Sequence, residues 1–344
     1  MDPWYLENLV CPLDYGKIHF HENALVCARG HKYPVVEGIP VMLLDHVPQT
    51  MELAHISMCQ AQTGQTNVKN TETLYVDSLG LVEEEKQAIL QLASGNKTKV
   101  DPVVSYLIGA TNGIAYKHLI GKLQEYPIPK MRLPYGTGQK LLDIGCSWGR
   151  WCLAAARKGY KPIGLDPSLG AIMAARRVAI QENVDIKYVV GDARFLPFHS
   201  AAIDCVFSYS VLQHLNREDV SQVICEAKRV LKTGGTILIQ MPTLFGLRCL
   251  YHQARRKFRE AKDFEVRYWS IPMLRKLFLC IGQPQITVDC FFGIGLQYSD
   301  LHLMPVAYKG VIALSELLRL LSRIITPMKY LADSVYVSSV KEIS

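Results

Sequence analysis

Beyond residue 139 the chain alternates between short continuous apolar runs and longer stretches in which apolar side chains return every three or four positions. The short runs predict strands at 140–144, 162–165, 186–190, 203–208 and 236–241. The periodic stretches predict helices at 148–158, 169–181 and 219–231. Strands and helices alternating in this way build a doubly wound α/β fold, a mostly parallel sheet covered on both faces. Two later apolar strands, 285–288 and 334–338, enclose a largely helical stretch, so 291–333 reads as an insertion over the carboxyl edge of the sheet. Residues 1–46 follow another pattern. Their apolar runs (Leu9-Val10, Leu25-Val26, Tyr33-Pro34-Val35-Val36, Ile39-Pro40-Val41-Met42-Leu43-Leu44) are short and broken by Gly, Pro and Asn, as in a small β-rich module. The stretch between, 47–138, is polar at first (60–73) and then helical. One helix is expected at 79–92, where Glu83, Glu84 and Glu85 suit the amino end. Another is expected at 103–123, broken by Gly109 and Gly113, and the Pro-rich 126–136 reads as a stiff linker. Three units result: 1–46, 47–138 and 139–344.

Composition narrows the class without choosing a function. The chain has 344 residues, 49% hydrophobic and 20% charged, with 24 Gly and 17 Pro, which excludes a collagen, a coiled coil and a wholly disordered chain. No apolar run reaches the length of a membrane-spanning helix. The start, Met1-Asp2-Pro3-Trp4, lacks the basic flank and apolar run of a signal peptide. Ten scattered Cys then point to reduced thiols and a cytoplasmic setting, and the sequon Asn96-Lys97-Thr98 is incidental. The net charge of +7 is unevenly placed. Residues 248–276 hold nine Lys or Arg against three acids. Such a window serves an anionic substrate, nucleic acid or an acidic membrane surface, or is simply a solvated face.

The candidate chemistry sits at the ends of the predicted strands. The first ends in Asp143-Ile144-Gly145-Cys146-Ser147-Trp148-Gly149. A glycine there permits a tight turn and close approach of the backbone to a ligand. The dinucleotide fingerprint requires a glycine where Ser147 stands, so the turn suits a nucleoside without phosphates. Asp166 ends the second strand, placed to accept hydrogen bonds from both ribose hydroxyls. Gly191-Asp192-Ala193 follows the third, where a carboxylate and an amide can hold an adenine amino group.

In combination these motifs resemble the class I S-adenosylmethionine-dependent methyltransferases of the type 11 kind, over 139–241. Gly-Asp-Ala-x-x-Leu-Pro-Phe at 191–198 belongs to the match. So do Asp204-Cys205-Val206-Phe207-Ser208, Val211-Leu212-Gln213-His214-Leu215 and Ala227-Lys228-Arg229-Val230-Leu231-Lys232-Thr233-Gly234-Gly235. The resemblance implies a Rossmann-like transferase with S-adenosylmethionine as cofactor. It implies contacts of Asp143, Gly145, Cys146 and Gly149 with the methionine part, Asp166 with the ribose, and Asp192 and Ala193 with the adenine. Ser208 completes the cofactor set.

A sulfonium is an activated donor, so placing the acceptor in line supplies most of the acceleration. A base is needed only for a protonated acceptor. His214, just beyond the fourth strand, is the candidate, with Tyr209 and Gln213 near it; the alternative for His214 is a helix-start residue bonded to backbone. Ser208-Tyr209-Ser210-Val211 stands where amino-methylating enzymes resemble one another in an Asn/Asp-Pro-Pro-aromatic tetrad. No Pro-Cys nucleophile of the cytosine-C5 kind is present there either.

In the first unit, Cys11-Pro12-Leu13-Asp14 and Cys27-Ala28-Arg29-Gly30-His31 have the layout of a zinc ribbon with Asp14 in place of one Cys. With the run 33–43, this module resembles the ribbon of transfer-RNA methyltransferase activator proteins. Its second half is similar to the ribbon fused to some ribosomal-RNA guanine methyltransferases. Cys11, Asp14, Cys27 and His31 are then a candidate zinc set; a metal-free module held by its apolar strands is the alternative.

On the substrate side, an Arg-Tyr-Trp start to the helix 271–279 is similar to one in small-molecule methyltransferases. Arg267 is a candidate for an acceptor carboxylate or phosphate, and Tyr251, His252 and Tyr268 are candidates for the pocket. Phe291-Phe292-Gly293-Ile294-Gly295 is expected to form an apolar wall, and 110–113 with Tyr116 a cap over the cofactor. A helix at 310–325 puts Ile312, Leu314, Leu317, Leu318, Leu321 and Ile325 on one face. It reads as a lid packed on the core, or alternatively as a helix lying on a membrane surface. The acceptor read from all this is a small-molecule or lipid-linked metabolite methylated at oxygen, nitrogen or carbon. The alternative is RNA recognised through the first unit, and a scaffold that activates a partner is the non-enzymatic one.

Overall fold

The computed structural model describes residues 1–49, 51–62, 74–95, 99–111, 114–293 and 298–342. The sequon at 96–98, most of the polar stretch 60–73, and positions 112–113 and 294–295 of the expected cap and wall lie outside the described residues. The chain begins with helix α1 (Pro3–Asn8), unread in the sequence although Asp2 and Pro3 announce it: Asp2 accepts from the Trp4 amide, and Pro3 suits the first helical position. A four-stranded antiparallel sheet follows, β1 (Ile18–His21), β2 (Ala24–Cys27), β3 (Lys32–Val36) and β4 (Ile39–Pro40).

The linker forms α2 (Glu52–Gln62), a 3-10 turn (Val76–Leu79), α3 (Glu83–Ser94) and α4 (Pro102–Thr111). Leu79 thus belongs to the turn before α3, because Gly80 takes a left-handed conformation (φ +64°) and ends it. The expected break after Gly109 occurs: a 3-10 helix, Ile114–Leu119, follows α4.

The doubly wound unit runs β5 (Lys140–Ile144), α5 (Arg150–Arg157), β6 (Lys161–Asp166), α6 (Leu169–Gln181), β7 (Lys187–Val190), β8 (Ile203–Ser208), α7 (Arg217–Val230) and β9 (Leu231–Pro242). It continues with α8 (Leu247–Arg255), α9 (Ile271–Phe278), β10 (Gln285–Cys290), α10 (Val306–Leu321) and β11 (Ser334–Val340). The seven strands are ordered β10-β11-β9-β8-β5-β6-β7, and only β11 runs against the rest. The chain reverses its direction of travel between β5 and β8, which opens a crevice at their carboxyl ends.

The first unit is not a loose appendage. Val41 bridges Val190 in parallel, the Met42 amide donates to the Val190 carbonyl (2.7 Å), and the Val10 amide donates to Pro197 (3.0 Å). It therefore covers the free edge at β7, which would otherwise offer unpaired backbone groups. Leu9, Leu25 and Tyr33 share one buried cluster with Leu196 and Phe198, each such side chain contributing roughly 1.5–3 kcal/mol by burial. The linker is pinned as firmly. Ser57 Oγ accepts from the Leu169 amide (2.9 Å), and Arg177 holds Asp101 through Nε (2.6 Å).

Helix α10 departs from the lid expectation. Ile312 is buried, but Leu314, Leu317, Leu320 and Leu321 are exposed, because β10 and the 3-10 turn before α10 take the opposite side of the helix. Among the described residues no helix is long and apolar enough to cross a membrane.

Candidate active site

A cavity of about 390 Å³ opens at the carboxyl ends of β5, β6 and β8. Gly145, Cys146, Asp166, Asp192, Ala193, Tyr209 and His214 all line it. Met51, Leu53, Leu79 and Leu107 close it from the linker, so the middle unit forms part of the wall.

The β5 turn explains the glycine. Gly145 has φ +74°, and a Cβ there would meet Val211 Cγ2 at 2.3 Å. Gly145→Ala is therefore expected to destabilise the fold by about 2–4 kcal/mol, since strain and overlap add; chemical denaturation measures this, and a loss under about 0.5 kcal/mol refutes it.

Asp166 fastens two turns at once. Its Oδ2 accepts from the Ser147 amide and its Oδ1 from the Ser168 amide, both at 2.9 Å. Burial raises its carboxyl to about 6, against those two bonds. Asp192 is buried and held by Arg194, whose Nη2 lies 2.7 Å from Oδ2. Arg194 also reaches Asp219 (3.1 Å) and the Pro48 carbonyl (2.7 Å), tying the third strand end to the linker.

His214 stacks on the Phe264 ring, 3.8 Å between centroids and inclined by 2°. Its Nδ1 lies 2.7 Å from the Phe264 carbonyl. A carbonyl only accepts, so Nδ1 carries the proton and Nε2 keeps its lone pair, toward which Gln213 Nε2 donates at 3.2 Å. Burial lowers the pKa of His214, which favours the neutral ring. Tyr209 packs on Trp151 (4.7 Å) and donates to Asp289 Oδ2 (3.1 Å).

Other expected residues stand behind this wall. Asp143 is buried under the turn, accepting from Cys152 Sγ (3.4 Å), and burial raises it to about 7. Gly149 takes φ +82° at the start of α5, and Ser208 Oγ donates to the Ile144 carbonyl (2.8 Å). Arg267 directs its guanidinium at the carbonyls of His214 (2.7 Å), Asp263 (3.1 Å) and Glu265 (3.2 Å), so it fastens the 261–267 loop. Tyr268 lies under Arg256, and His252 is exposed on α8 beside Arg248; neither lines the cavity.

Three residues were missed. Arg150 lines the cavity, is buried, and pairs with Asp300, which also accepts from Tyr116. Asp300 comes from the 3-10 turn before α10, so the insertion does reach over the carboxyl edge. Phe264, the stacking partner of His214, was visible only as an aromatic within the basic window.

In the first unit, Cys11, Asp14, Cys27 and His31 bring their ligand atoms within 4.8 Å of one another. His31 Nδ1 lies 3.3 Å from each sulfur and 3.4 Å from Asp14 Oδ2, and Cys27 Sγ lies 3.6 Å from that oxygen. A tetrahedral zinc with bonds of about 2.0–2.3 Å requires edges of roughly 3.3–3.7 Å. The donor set fits zinc in both chemistry and spacing. Tyr33 Oη (3.1 Å from Cys11 Sγ) and the Gly16 amide (2.8 Å from Asp14 Oδ1) orient two of the four.

Comparison with known proteins agrees with this architecture. Residues 142–239 match the family described as methyltransferase domain, and this segment is a methyltransferase domain. The chain is 31% identical over 111 residues to the ubiquinone biosynthesis O-methyltransferase of Chelativorans sp., covering 32% of this chain and 43% of that one. It is 32% identical over 170 residues to a probable S-adenosylmethionine-dependent methyltransferase of Mycolicibacterium smegmatis, covering 48% and 60%. The chain thus spans about half the length of these curated relatives. Among solved structures, phosphoethanolamine N-methyltransferase 2 of Haemonchus contortus with S-adenosyl-L-methionine is 20% identical, covering 69% of this chain and 59% of that one, with a TM-score of 0.43.

Proposed function

We propose that the protein transfers a methyl group from S-adenosylmethionine to a small-molecule or lipid-linked acceptor at the mouth of the β5–β8 cavity. The observation that carries this is the charge of the lining. Asp166 and Asp192 face the cavity, while its one lining guanidinium, Arg150, is already neutralised by Asp300. Such a wall disfavours a pyrophosphate and suits a cationic nucleoside.

When bound, S-adenosylmethionine supplies a sulfonium-activated methyl group. Asp166 accepts hydrogen bonds from the ribose hydroxyls, using lone pairs that the Ser147 and Ser168 amides leave over. Asp192 and Ala193 hold the adenine edge, and Gly145 and Cys146 border the methionine side. Asp143, Gly149 and Ser208 act from behind by shaping the turn. For a hydroxyl acceptor, His214 Nε2 receives the proton while the Phe264 carbonyl holds Nδ1. Cys11, Asp14, Cys27 and His31 hold a structural zinc.

Methyl-labelled S-adenosylmethionine, incubated with the protein and a cell extract separated into lipid, aqueous and RNA pools, tests the acceptor class. Label in the lipid or aqueous pool is expected; label confined to RNA overturns the reading. With that acceptor pool, His214→Asn is expected to lower turnover by about 10²-fold or more at unchanged cofactor affinity. Equal turnover would show that the acceptor needs no base from His214.

A further inference from the structure

Two helices outside the active site turn apolar stripes toward solvent. On α10 and its continuation, Leu314, Leu317, Leu320, Ile324 and Ile325 are exposed at helical spacing, Ile324 by 82%. The charged residues on its flank, Glu316 and Arg319, are paired with each other. On α8, Leu247, Leu250 and Tyr251 are exposed while Cys249 and Gln253 face inward, and Phe258 lies exposed just beyond. The stripes converge in space. Gly246, at the start of α8, rests on Ala332 and Asp333, next to exposed Leu331, and Arg248 packs against Gly293. Exposed apolar surface of this extent marks an interaction site.

Its surroundings indicate the partner. Between 247 and 262 stand Arg248, Arg255, Arg256, Lys257, Arg259 and Lys262 against one acid, Glu260. Arg259 pairs with Glu265, but among the described residues Arg255, Lys257, Lys262 and Arg323 pair with no carboxylate. A second copy of this chain would bring the same cations face to face and be repelled. Nucleic acid would answer the cations, but it favours aromatic stacking platforms, and the α10 stripe from Gly310 to Ile325 contains no aromatic residue. Aliphatic side chains rimmed by unpaired cations match an interface of acyl chains beneath anionic headgroups.

We infer that the exposed stripes of α8 and α10, with the cations of 248–262 and Arg323, seat the protein on an acidic phospholipid membrane surface. The seating stands on this surface alone and does not depend on methyl transfer. It borders the cavity all the same, because the segment after α8 leads to Phe264 in the cavity wall.

Co-sedimentation of the full chain with vesicles tests it. Binding to phosphatidylcholine vesicles containing phosphatidylserine is expected to exceed binding to phosphatidylcholine alone by about tenfold or more, and to weaken as salt rises. Leu314→Glu with Leu317→Glu is expected to lower binding at least about tenfold, at unchanged melting temperature and S-adenosylmethionine affinity. Arg255→Glu with Lys257→Glu, on a separate element, is expected to do the same. Wild-type protein that ignores acidic vesicles overturns the inference, whether light scattering then finds a dimer dissolved by the leucine changes or RNA is retained by the cations. Equal vesicle binding by both double variants overturns it as well.

Discussion

Asp166→Ala is expected to weaken S-adenosylmethionine binding by about a hundredfold or more in titration calorimetry. Hydrogen bonds to a charged acceptor contribute about 1.5–3 kcal/mol each, and the proposed role gives Asp166 two from the ribose. The same carboxylate also holds the Ser147 and Ser168 amides, so some loosening of both turns adds to the loss. Asp166→Asn separates the two contributions: it keeps the shape and one acceptor oxygen, and should fall between wild type and alanine. The pH dependence has a definite sign. Burial raises the free carboxyl to about 6, and ribose hydroxyls donate well only to its ionised form. Affinity should therefore be flat above about pH 7 and decline as pH falls through about 6, approaching tenfold per unit below it. Affinity unchanged by alanine, or level down to about pH 5, would remove Asp166 from the cofactor site.

Cys27→Ala should release the metal and cost about 3–5 kcal/mol of stability. Metal binding by a small module is largely folding free energy, but here part of the module is held without it. Leu9, Leu25 and Tyr33 are packed with Leu196 and Phe198, and Met42 is bonded to Val190. A partial loss is accordingly expected in chemical denaturation, with the doubly wound unit persisting and the β7 edge exposed. Elemental analysis of the wild type should find about one zinc per chain. Asp14→Cys should bind it at least as tightly, since thiolate is the stronger zinc ligand. Less than about a tenth of an equivalent in wild-type protein would leave a metal-free module held by its apolar strands.

The doubly wound unit was legible almost residue by residue. The helix expected at 169–181 and the strands at 140–144 and 203–208 occur at those bounds. Their signals are local: a buried parallel strand needs a continuous apolar run, and a surface helix needs a 3.6-residue period. The strand-end residues Gly145, Asp166, Asp192 and His214 were found because the fold places every strand end on one crevice. Arg267, Tyr268 and His252 were expected at the cavity and are elsewhere. Composition marked them as able to bind an anion, but carbonyl groups of their own loop claim the Arg267 donors.

By itself the sequence determined the order and kind of elements, the glycine turn after β5 and the four-ligand spacing of the first unit. Each depends on neighbours along the chain or on a turn a few residues long. Tertiary structure alone decided that Arg150 meets Asp300 across 150 residues, and that Arg194 joins Asp192 to the linker. It decided, too, that Phe264 comes to lie on His214. It also decided which side of α10 stays in solvent. Periodicity defines an apolar stripe, but whether the core or another surface covers that stripe depends on where the rest of the chain has packed.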